Sequence, residues 1–375
     1  MDFSADELAR YRRHLGLAGF GPTAQARLRT GSVLVIGAGG LGCPALLYLA
    51  AAGVGRIVLL DDDVVDVSNL QRQVLYVTAD AGRPKAHAAA ERLRALNPHL
   101  AIEARAERLT RANARELVRA VDVVLDGSDN FATRYLVNDA CVLEDRPFVY
   151  GAIQGFEGQV SVFNHRGGPT YRCLFPEPPP PGAAPNCAEA GVLGVLPGLI
   201  GTLQATEVIK LLAGIGEPIS GRLFLYDALT LETRTLRLAA DPRSRALTDL
   251  PPEGYGEACA TAAPGNTEPQ LGPDEITSSA LRAALAHPDA ATRPQLLDVR
   301  EAWERALGAI ESSLHIPLAA LATADLTALD PARPVVVYCA GGVRSAKALP
   351  VLRSRAPFTS LLSLRGGCAD WTGKK

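Results

Sequence analysis

Residues 33–42, Val33-Leu34-Val35-Ile36-Gly37-Ala38-Gly39-Gly40-Leu41-Gly42, decide the fold. Four apolar residues make a run of strand length, and glycines then break it. Cys43–Ala52 is rich in Ala and Leu and helical in character, with Pro44 tolerated in its first turn. Gly53-Val54-Gly55 ends it. Arg56–Leu60 is a second apolar strand that runs into Asp61-Asp62-Asp63. Strand, glycine turn, helix and strand in this order predict a parallel βαβ unit. Gly37, Gly39 and Gly42 occupy G-x-G-x-x-G, where the backbone can approach a phosphate or ribose and the helix N-terminus favours negative charge. Asp61 stands where ribose hydroxyls would be bound. Alone, these residues predict a nucleotide, with NAD or FAD the usual default.

The alternation continues outward. Lys85–Leu96 reads as an amphipathic helix, Ile102–Ala106 as a strand and Arg111–Ala120 as a helix. Val121–Leu125 reads as a strand ending at Asp126, Phe131–Leu143 as a helix, and Phe148–Gly151 and Gly158–Phe163 as strands. Val192–Gly216 carries Pro197, Glu207 and Lys210, and so reads as a buried helix rather than a membrane span. Pro178–Pro181 suits neither a helix interior nor a central strand. Ala240–Asp274, rich in Pro, Gly, Thr and Ala, reads as a connection between domains. The expected organisation is a nucleotide-binding domain over residues 1–248, a linker over 249–273 and a small α/β domain over 274–375. The fold class is α/β: a Rossmann-like, mostly parallel sheet plus the smaller unit.

Composition narrows the partners. The 375 residues are 47% hydrophobic and 21% charged, with a net charge of −2. That balance gives no electrostatic reason to expect nucleic acid or an anionic membrane as the main partner. The seven cysteines are too few and scattered for a disulfide scaffold, and none forms a Cys-x-x-Cys pair. Met1–His14 has no apolar signal-like core. The expectation is a cytoplasmic protein with reduced thiols.

Three further segments argue against hydride chemistry. Ser68-Asn69-Leu70-Gln71-Arg72-Gln73 follows the acidic strand end, and Asp126-Gly127-Ser128-Asp129-Asn130 follows a later strand. Lys85 opens the next helix in a chain with five Lys against 33 Arg. The carboxyl ends of parallel strands meet at one crevice, so Arg72, Lys85 and Asp129 can point to one place. Two cations and a carboxylate suit a triphosphate with Mg²⁺ better than a nicotinamide.

These motifs, in this order and spacing, resemble the MoeB/ThiF family of ubiquitin-activating-like adenylyltransferases. The resemblance covers about residues 5–248 and includes Arg10-Tyr11-Arg12-Arg13. It implies ATP binding by the turn Gly37, Gly39, Gly40 and Gly42, by Asp61 and Asp63, by Ser68, Asn69, Leu70, Gln71 and Arg72, and by Lys85, Asp129 and Asn130. It implies Mg²⁺ held by Asp129, and a homodimer in which Arg13 reaches the other subunit's nucleotide. The implied reaction activates the C-terminal Gly of a ubiquitin-like sulfur carrier and releases pyrophosphate. It needs alignment and charge stabilisation, here from Arg72 and Lys85, rather than a protein nucleophile.

The chain departs from the family at its zinc site. Many members hold zinc through two Cys-x-x-Cys pairs. Here Cys173 remains, while Thr170, Ser244 and Leu247 stand at the other positions. One thiolate cannot make a four-ligand site, so no zinc is expected. With the Pro run, this resembles the zinc-less, MoeZ-like branch. By the same resemblance, Cys187 is a thiol that can link covalently to the carrier. Read from the residues alone, the alternative is a small apolar residue, buried and inert.

Cys339-Ala340-Gly341-Gly342-Val343-Arg344 follows the strand Val335–Tyr338 and opens a helix over Val343–Arg353. Successive N–H groups in such a loop form an anion nest, the helix dipole favours thiolate, and Arg344 adds positive charge. The short loop suits a persulfide sulfur better than a phosphate. With Leu297-Asp298-Val299-Arg300-Glu301 before it and Leu364-Arg365-Gly366-Gly367 after it, residues 275–372 resemble a rhodanese domain, departing at 307–313. Adenylation makes a carboxylate electrophilic, and a persulfide is the matching nucleophile. The two halves together imply a thiocarboxylate-forming enzyme fed by thiosulfate or a cysteine-desulfurase persulfide. The alternatives are adenylylation with an idle rhodanese domain, a non-catalytic scaffold for a ubiquitin-like partner, and a nicotinamide oxidoreductase.

Overall fold

The structure, a computed structural model, describes residues 3–178, 191–252, 255, 271–289 and 292–372. It divides into two compact units, residues 1–263 and 264–375.

The first unit begins with three helices, α1 (Ala5–Arg10), α2 (Arg12–Leu15) and α3 (Gly21–Thr30). The βαβ start follows: β1 (Ser32–Ile36), α4 (Gly42–Ala52) and β2 (Arg56–Leu60). Then come α5 (Lys85–Leu96), β3 (Ala101–Arg105), α6 (Ala114–Arg119), β4 (Val123–Asp126) and α7 (Phe131–Leu143). The unit continues through β5 (Phe148–Gln154), β6 (Glu157–Phe163), α8 (Tyr171–Leu174), α9 (Val195–Ala213), β7 (Arg222–Asp227) and β8 (Thr233–Arg237). One eight-stranded sheet has the order β3-β2-β1-β4-β5-β6-β7-β8, parallel from β3 to β5 and antiparallel from β5 to β8.

The central strands are apolar at nearly every position because both faces are covered. Val33 and Val35 enter one core with residues of α3, α4, α5 and α9, while Leu34 and Ile36 enter another with α6 and α7. The register pairs Ile36 with both Leu60 and Asp126. The segments leaving β1, β2 and β4 therefore emerge at one edge. By length and composition α9 could cross a membrane, but Leu196, Ile200, Ala205 and Val208 are buried and it packs against α4 and β5. It is a core helix.

The second unit contains β9 (Glu275–Ile276), α10 (Ser278–Leu285), β10 (Gln295–Asp298), α11 (Ala302–Ala306) and β11 (Leu314–His315). It ends with β12 (Val335–Tyr338), α12 (Val343–Arg355), β13 (Leu361–Leu364) and α13 (Gly367–Thr372). All neighbours in its sheet, β11-β10-β12-β13-β9, are parallel. Residues 307–313, where the sequence pattern departs, close onto this sheet. The Tyr338 hydroxyl meets Ser313 Oγ at 2.8 Å and Ile310 N at 3.2 Å, and His315 pairs in register with Asp298.

Composition starts the inter-domain connection too early. Leu250 is buried in the first unit's core, and the Tyr255 hydroxyl donates to Asp139 Oδ2 at 2.9 Å. The segment is polar and Pro-rich, but a buried leucine and a satisfied phenol hold its start against the first unit.

Candidate active sites

The glycine turn is shaped by close backbone approach. Gly37 has φ +90°, and a Cβ there would stand 2.9 Å from Gly127 O. A Cβ on Gly42 would stand within bonding distance of Gly37 O. Thus the turn packs on itself and on the loop after β4. Gly39 is different: a Cβ there would meet only Gln73 Nε2, at 3.7 Å. That side is open to an incoming group. A Cβ on Gly40 would meet Pro197 of α9 at 3.1 Å and Arg72 Cδ at 3.6 Å, so Arg72 lies along the turn.

Asp61 is fixed by two backbone donors. Ala38 N–H reaches Oδ2 at 2.7 Å and Asp63 N–H reaches Oδ1 at 2.9 Å. Burial nevertheless pushes its carboxyl above the usual range. Lys85 is buried at the start of α5, with Nζ 2.6 Å from Asp63 Oδ2. Arg72 donates to Ser68 O at 3.3 Å, closing the turn Ser68–Arg72 on itself. Gln71 packs against Gly194 at the entry to α9, where an added Cβ would lie 2.2 Å from Gln71 Oε1. Asn69 and Leu70 are half-buried in the same turn.

The loop after β4 supplies the third side. Asp126 is fully buried, with Oδ1 accepting from Ser128 N–H at 2.9 Å and the Arg134 guanidinium 3.7 Å from Oδ2. Asn130 caps α7 by accepting from Thr133 N–H at 2.9 Å. Asp129, between them, is exposed. Among the described residues no group of three or more His, Cys, Asp or Glu side chains gathers as a metal site. The exposed Asp129 carboxylate suits Mg²⁺, which binds through one or two carboxylates together with substrate phosphates. Arg13 is exposed on α2. Cys187 lies outside the described residues.

Two residues that sequence reading missed complete this frame. The buried Tyr76 hydroxyl lies 2.9 Å from Ala38 O and 3.3 Å from Lys85 O, joining the glycine turn to the start of α5. Gln204, in the middle of α9, donates to Asp126 O at 2.6 Å. Each looks like an ordinary helix or loop residue in sequence, and only the topology reveals its role.

Where the family's zinc would sit, a hydrogen-bonded cluster surrounds Cys173. Asp241 N–H and Thr170 N–H approach Sγ at 3.2 and 3.3 Å, and Ser244 Oγ lies at 3.2 Å. Burial pushes this thiol up, but those hydrogen bonds outweigh it and leave Cys173 below the usual thiol range.

In the second unit, Cys339 directly follows β12 and is buried, while Ala340 and Gly341 are exposed. Gly342 has φ +99°, a conformation that suits glycine, and its N–H points at Cys339 Sγ at 3.1 Å. Ser345 Oγ lies 3.6 Å from the same sulfur and bonds Gly342 O at 2.8 Å. The N-terminus of α13 braces the loop from behind: Cys368 and Ala369 N–H donate to Cys339 O and Ala340 O at 2.8 and 3.1 Å. Val343 is exposed. Arg344 does not stand free beside the sulfur as the sequence suggests; it makes two 2.6 Å bonds to Glu304.

The sequence model of the ThiF family matches residues 11–246. The chain belongs to the ThiF family. A rhodanese-like domain follows at residues 279–374. The chain is thus an enzyme with an adenylyltransferase and a sulfurtransferase domain. It is 45% identical over 373 residues to the probable adenylyltransferase/sulfurtransferase MoeZ of Mycobacterium tuberculosis, covering 98% of this chain and 93% of that one. It is 43% identical to the adenylyltransferase and sulfurtransferase MOCS3 of Sus scrofa, covering 99% and 87%. The sulfur carrier protein adenylyltransferase of Thermus thermophilus is 55% identical over 256 residues, 67% of this chain and 94% of that one. Among solved structures, E. coli MccB with ATP shares the ThiF fold at a TM-score of 0.55 and 20% identity, over 62% of this chain and 72% of that one.

Proposed function

We propose that this enzyme adenylylates the C-terminal Gly of a ubiquitin-like sulfur-carrier protein and then converts the acyl-adenylate to a thiocarboxylate with sulfur carried on Cys339. The observation that carries this reading is the meeting of three segments at one sheet edge. The Gly37–Gly42 turn, the Asp61–Lys85 segment and the Asp126–Asn130 loop all leave the carboxyl ends of parallel strands, in the same chain as the Cys339 cradle.

Asp61 takes the ribose hydroxyls, and the open side of Gly39 admits the phosphates, with Gly40 letting Arg72 and Pro197 approach the turn closely. Asp63, Ser68, Asn69, Leu70, Gln71 and Asn130 shape the walls of the nucleotide site. Asp129 would hold Mg²⁺, which would neutralise phosphate charge. A carboxylate oxygen of the carrier attacks the α-phosphorus, the bond to the bridging oxygen breaks, and pyrophosphate leaves with the electron pair. Lys85 and Arg72 stabilise the charge that develops there. Arg13 of a partner protomer completes the site in a homodimer.

In the second unit, Gly342 N–H and the N-terminus of α12 stabilise anionic sulfur on Cys339. The persulfide sulfur attacks the acyl carbon and AMP leaves, giving an acyl disulfide. The Cys187 thiolate is the group proposed to attack Cys339 Sγ: the S–S bond of the acyl disulfide breaks, the thiocarboxylate leaves with the electron pair, and the Cys187–Cys339 disulfide that forms is reduced by an external dithiol. The tether between the units raises the effective concentration of persulfide near the adenylate. A cytoplasmic setting keeps these thiols reduced.

The experiment is ATP–pyrophosphate exchange with a panel of carriers ending in Gly-Gly, alongside Asp129→Ala. Carrier-dependent exchange that the variant loses is the expected result. Absence of exchange with every carrier, despite bound ATP, would overturn the adenylation reading. Thiocarboxylate formed undiminished by Cys339→Ser would show the second domain to be idle.

A further inference from the structure

The Arg344 guanidinium makes two parallel bonds to Glu304, Nη1 to Oε2 and Nη2 to Oε1, both at 2.6 Å. This fork geometry fixes the guanidinium plane as well as its charge. Glu304 is itself held from two sides. Its Oε2 accepts at 2.9 Å from the N–H of Glu301, the N-cap of α11. Its carbonyl lies 3.4 Å from Arg300 Nη1, and Arg300 is clamped by Asp298 at 2.9 and 2.8 Å. These contacts tether Glu304 at its backbone carbonyl to the Asp298–Arg300 pair at the end of β10 and at its carboxylate to Arg344. Glu304 is buried, so its charge is not dispersed into solvent. Of the residues beside the pair in sequence, Trp303 and Val343 are exposed and apolar, and the Arg305 guanidinium is engaged by Asp298 Oδ2 at 3.6 Å and by Ser313 O at 2.9 Å.

We infer that Glu304 is a specificity-determining positioning residue: by clamping and neutralising Arg344, it turns the Cys339 loop away from free sulfur oxyanions and toward donors whose transferable sulfur is a persulfide. The inference rests on the reading that Cys339 carries sulfur. The two loading reactions differ in charge. With thiosulfate, the Cys339 thiolate attacks the outer sulfur of a dianion, the S–S bond breaks, and sulfite leaves with the electron pair. With a persulfide R–S–SH, the thiolate attacks the terminal sulfur and R–S⁻ leaves. The first gathers a trianion at the loop and the second a monoanion. A trianionic transition state needs an uncompensated cation, whereas a monoanion is served by the backbone N–H of Gly342 and the start of α12. Pairing Arg344 with a buried carboxylate withholds that cation.

The test uses the full chain and follows sulfur loading of Cys339 by the mass gain of one sulfur atom, with thiosulfate and with cysteine persulfide as donors. The readout is the ratio of the two second-order rate constants, which cancels any loss of folded protein. Glu304→Gln is expected to raise the thiosulfate-to-persulfide ratio on the order of tenfold, and to make thiosulfate loading more sensitive to salt. Glu304→Gln combined with Arg344→Gln is expected to return the ratio to that of the native chain, because both charges are gone. An unchanged ratio in the single variant, or a raised ratio that persists in the double variant, would overturn the inference. If the native chain takes sulfur from neither donor, the sulfur-carrying role of Cys339 fails first and this inference falls with it.

Discussion

Lys85 Nζ lies 2.6 Å from Asp63 Oδ2, joining a buried ammonium to a carboxylate that is otherwise in solvent. The pair joins the segment after β2 to the start of α5. With Asp63 in solvent its contribution to stability is small, and in the function proposed above it fixes where the ammonium stands. Lys85→Met keeps the stem and removes the charge. It is expected to slow ATP–pyrophosphate exchange by about 10²–10³. Asp63→Asn leaves an acceptor for the ammonium and is expected to cost less than about tenfold. Equal losses in the two variants would mean that Lys85 serves only as the partner of Asp63.

Tyr76 ties the glycine turn to α5 with one hydroxyl shared between Ala38 O and Lys85 O. Tyr76→Phe leaves both buried carbonyls without that donor. The expected cost is about 1–2 kcal/mol of stability. Because Ala38 N–H also holds Asp61, a loosened turn is expected to raise the KM for ATP several-fold. Urea midpoints and exchange kinetics on the same preparation check both. A loss of stability with KM unmoved would show that Tyr76 supports the core and not the site.

The parts legible in the sequence are those written as local pattern. The run Val33–Ile36 with its glycines gives strand, turn and helix, and the acidic ends of β2 and β4 mark the sheet edge at which the proposed nucleotide site lies. The edge strand β8 was not legible, because Thr233–Arg237 is exposed throughout and has no apolar face to set a period of two. The Arg344–Glu304 clamp was hidden for another reason. The two residues lie on different helices, and nothing near Arg344 in sequence shows that its charge is taken. Gln204 sits within an apolar helix whose pattern records burial but not the hydrogen bond to Asp126 O.

Asp126 gives a pH signature. Burial pushes its carboxyl up to about 6 from an ordinary value of 3.8, with Arg134 and Ser128 only partly offsetting that. A carboxyl whose folded pKa is raised binds its proton more tightly in the folded chain. Its contribution to stability therefore falls as pH rises from about 4 to about 6, and the penalty is in full force above that. The difference is on the order of 3 kcal/mol at most. Asp126→Asn keeps an acceptor for Ser128 N–H and removes the titration. Subtracting its stability–pH curve from that of the native chain is expected to leave a difference confined to this window. A flat difference would show that Asp126 is ionised without penalty.

The Cys173 cluster makes a constructive prediction. A tetrahedral zinc–thiolate site with bonds of about 2.3 Å places its sulfurs roughly 3.8 Å apart. Thr170 Oγ1 and Ser244 Oγ already lie 3.6 and 3.2 Å from Cys173 Sγ, and Leu247 follows Ser244 at the spacing of a Cys-x-x-Cys pair. Hydrogen bonds from Asp241 and Thr170 N–H hold the sulfur where a metal would hold it. Changing Thr170, Ser244 and Leu247 together to Cys is expected to create a site that binds about one Zn²⁺ and raises the urea midpoint in a chelator-sensitive way. Cobalt substitution, read by thiolate charge-transfer absorption, checks the ligand set. In the native chain, Cys173→Ala is expected to cost about 1–3 kcal/mol, because it strands two backbone donors. A triple variant that binds no metal would mean that hydrogen bonding has reshaped this end of the domain beyond a change of ligands.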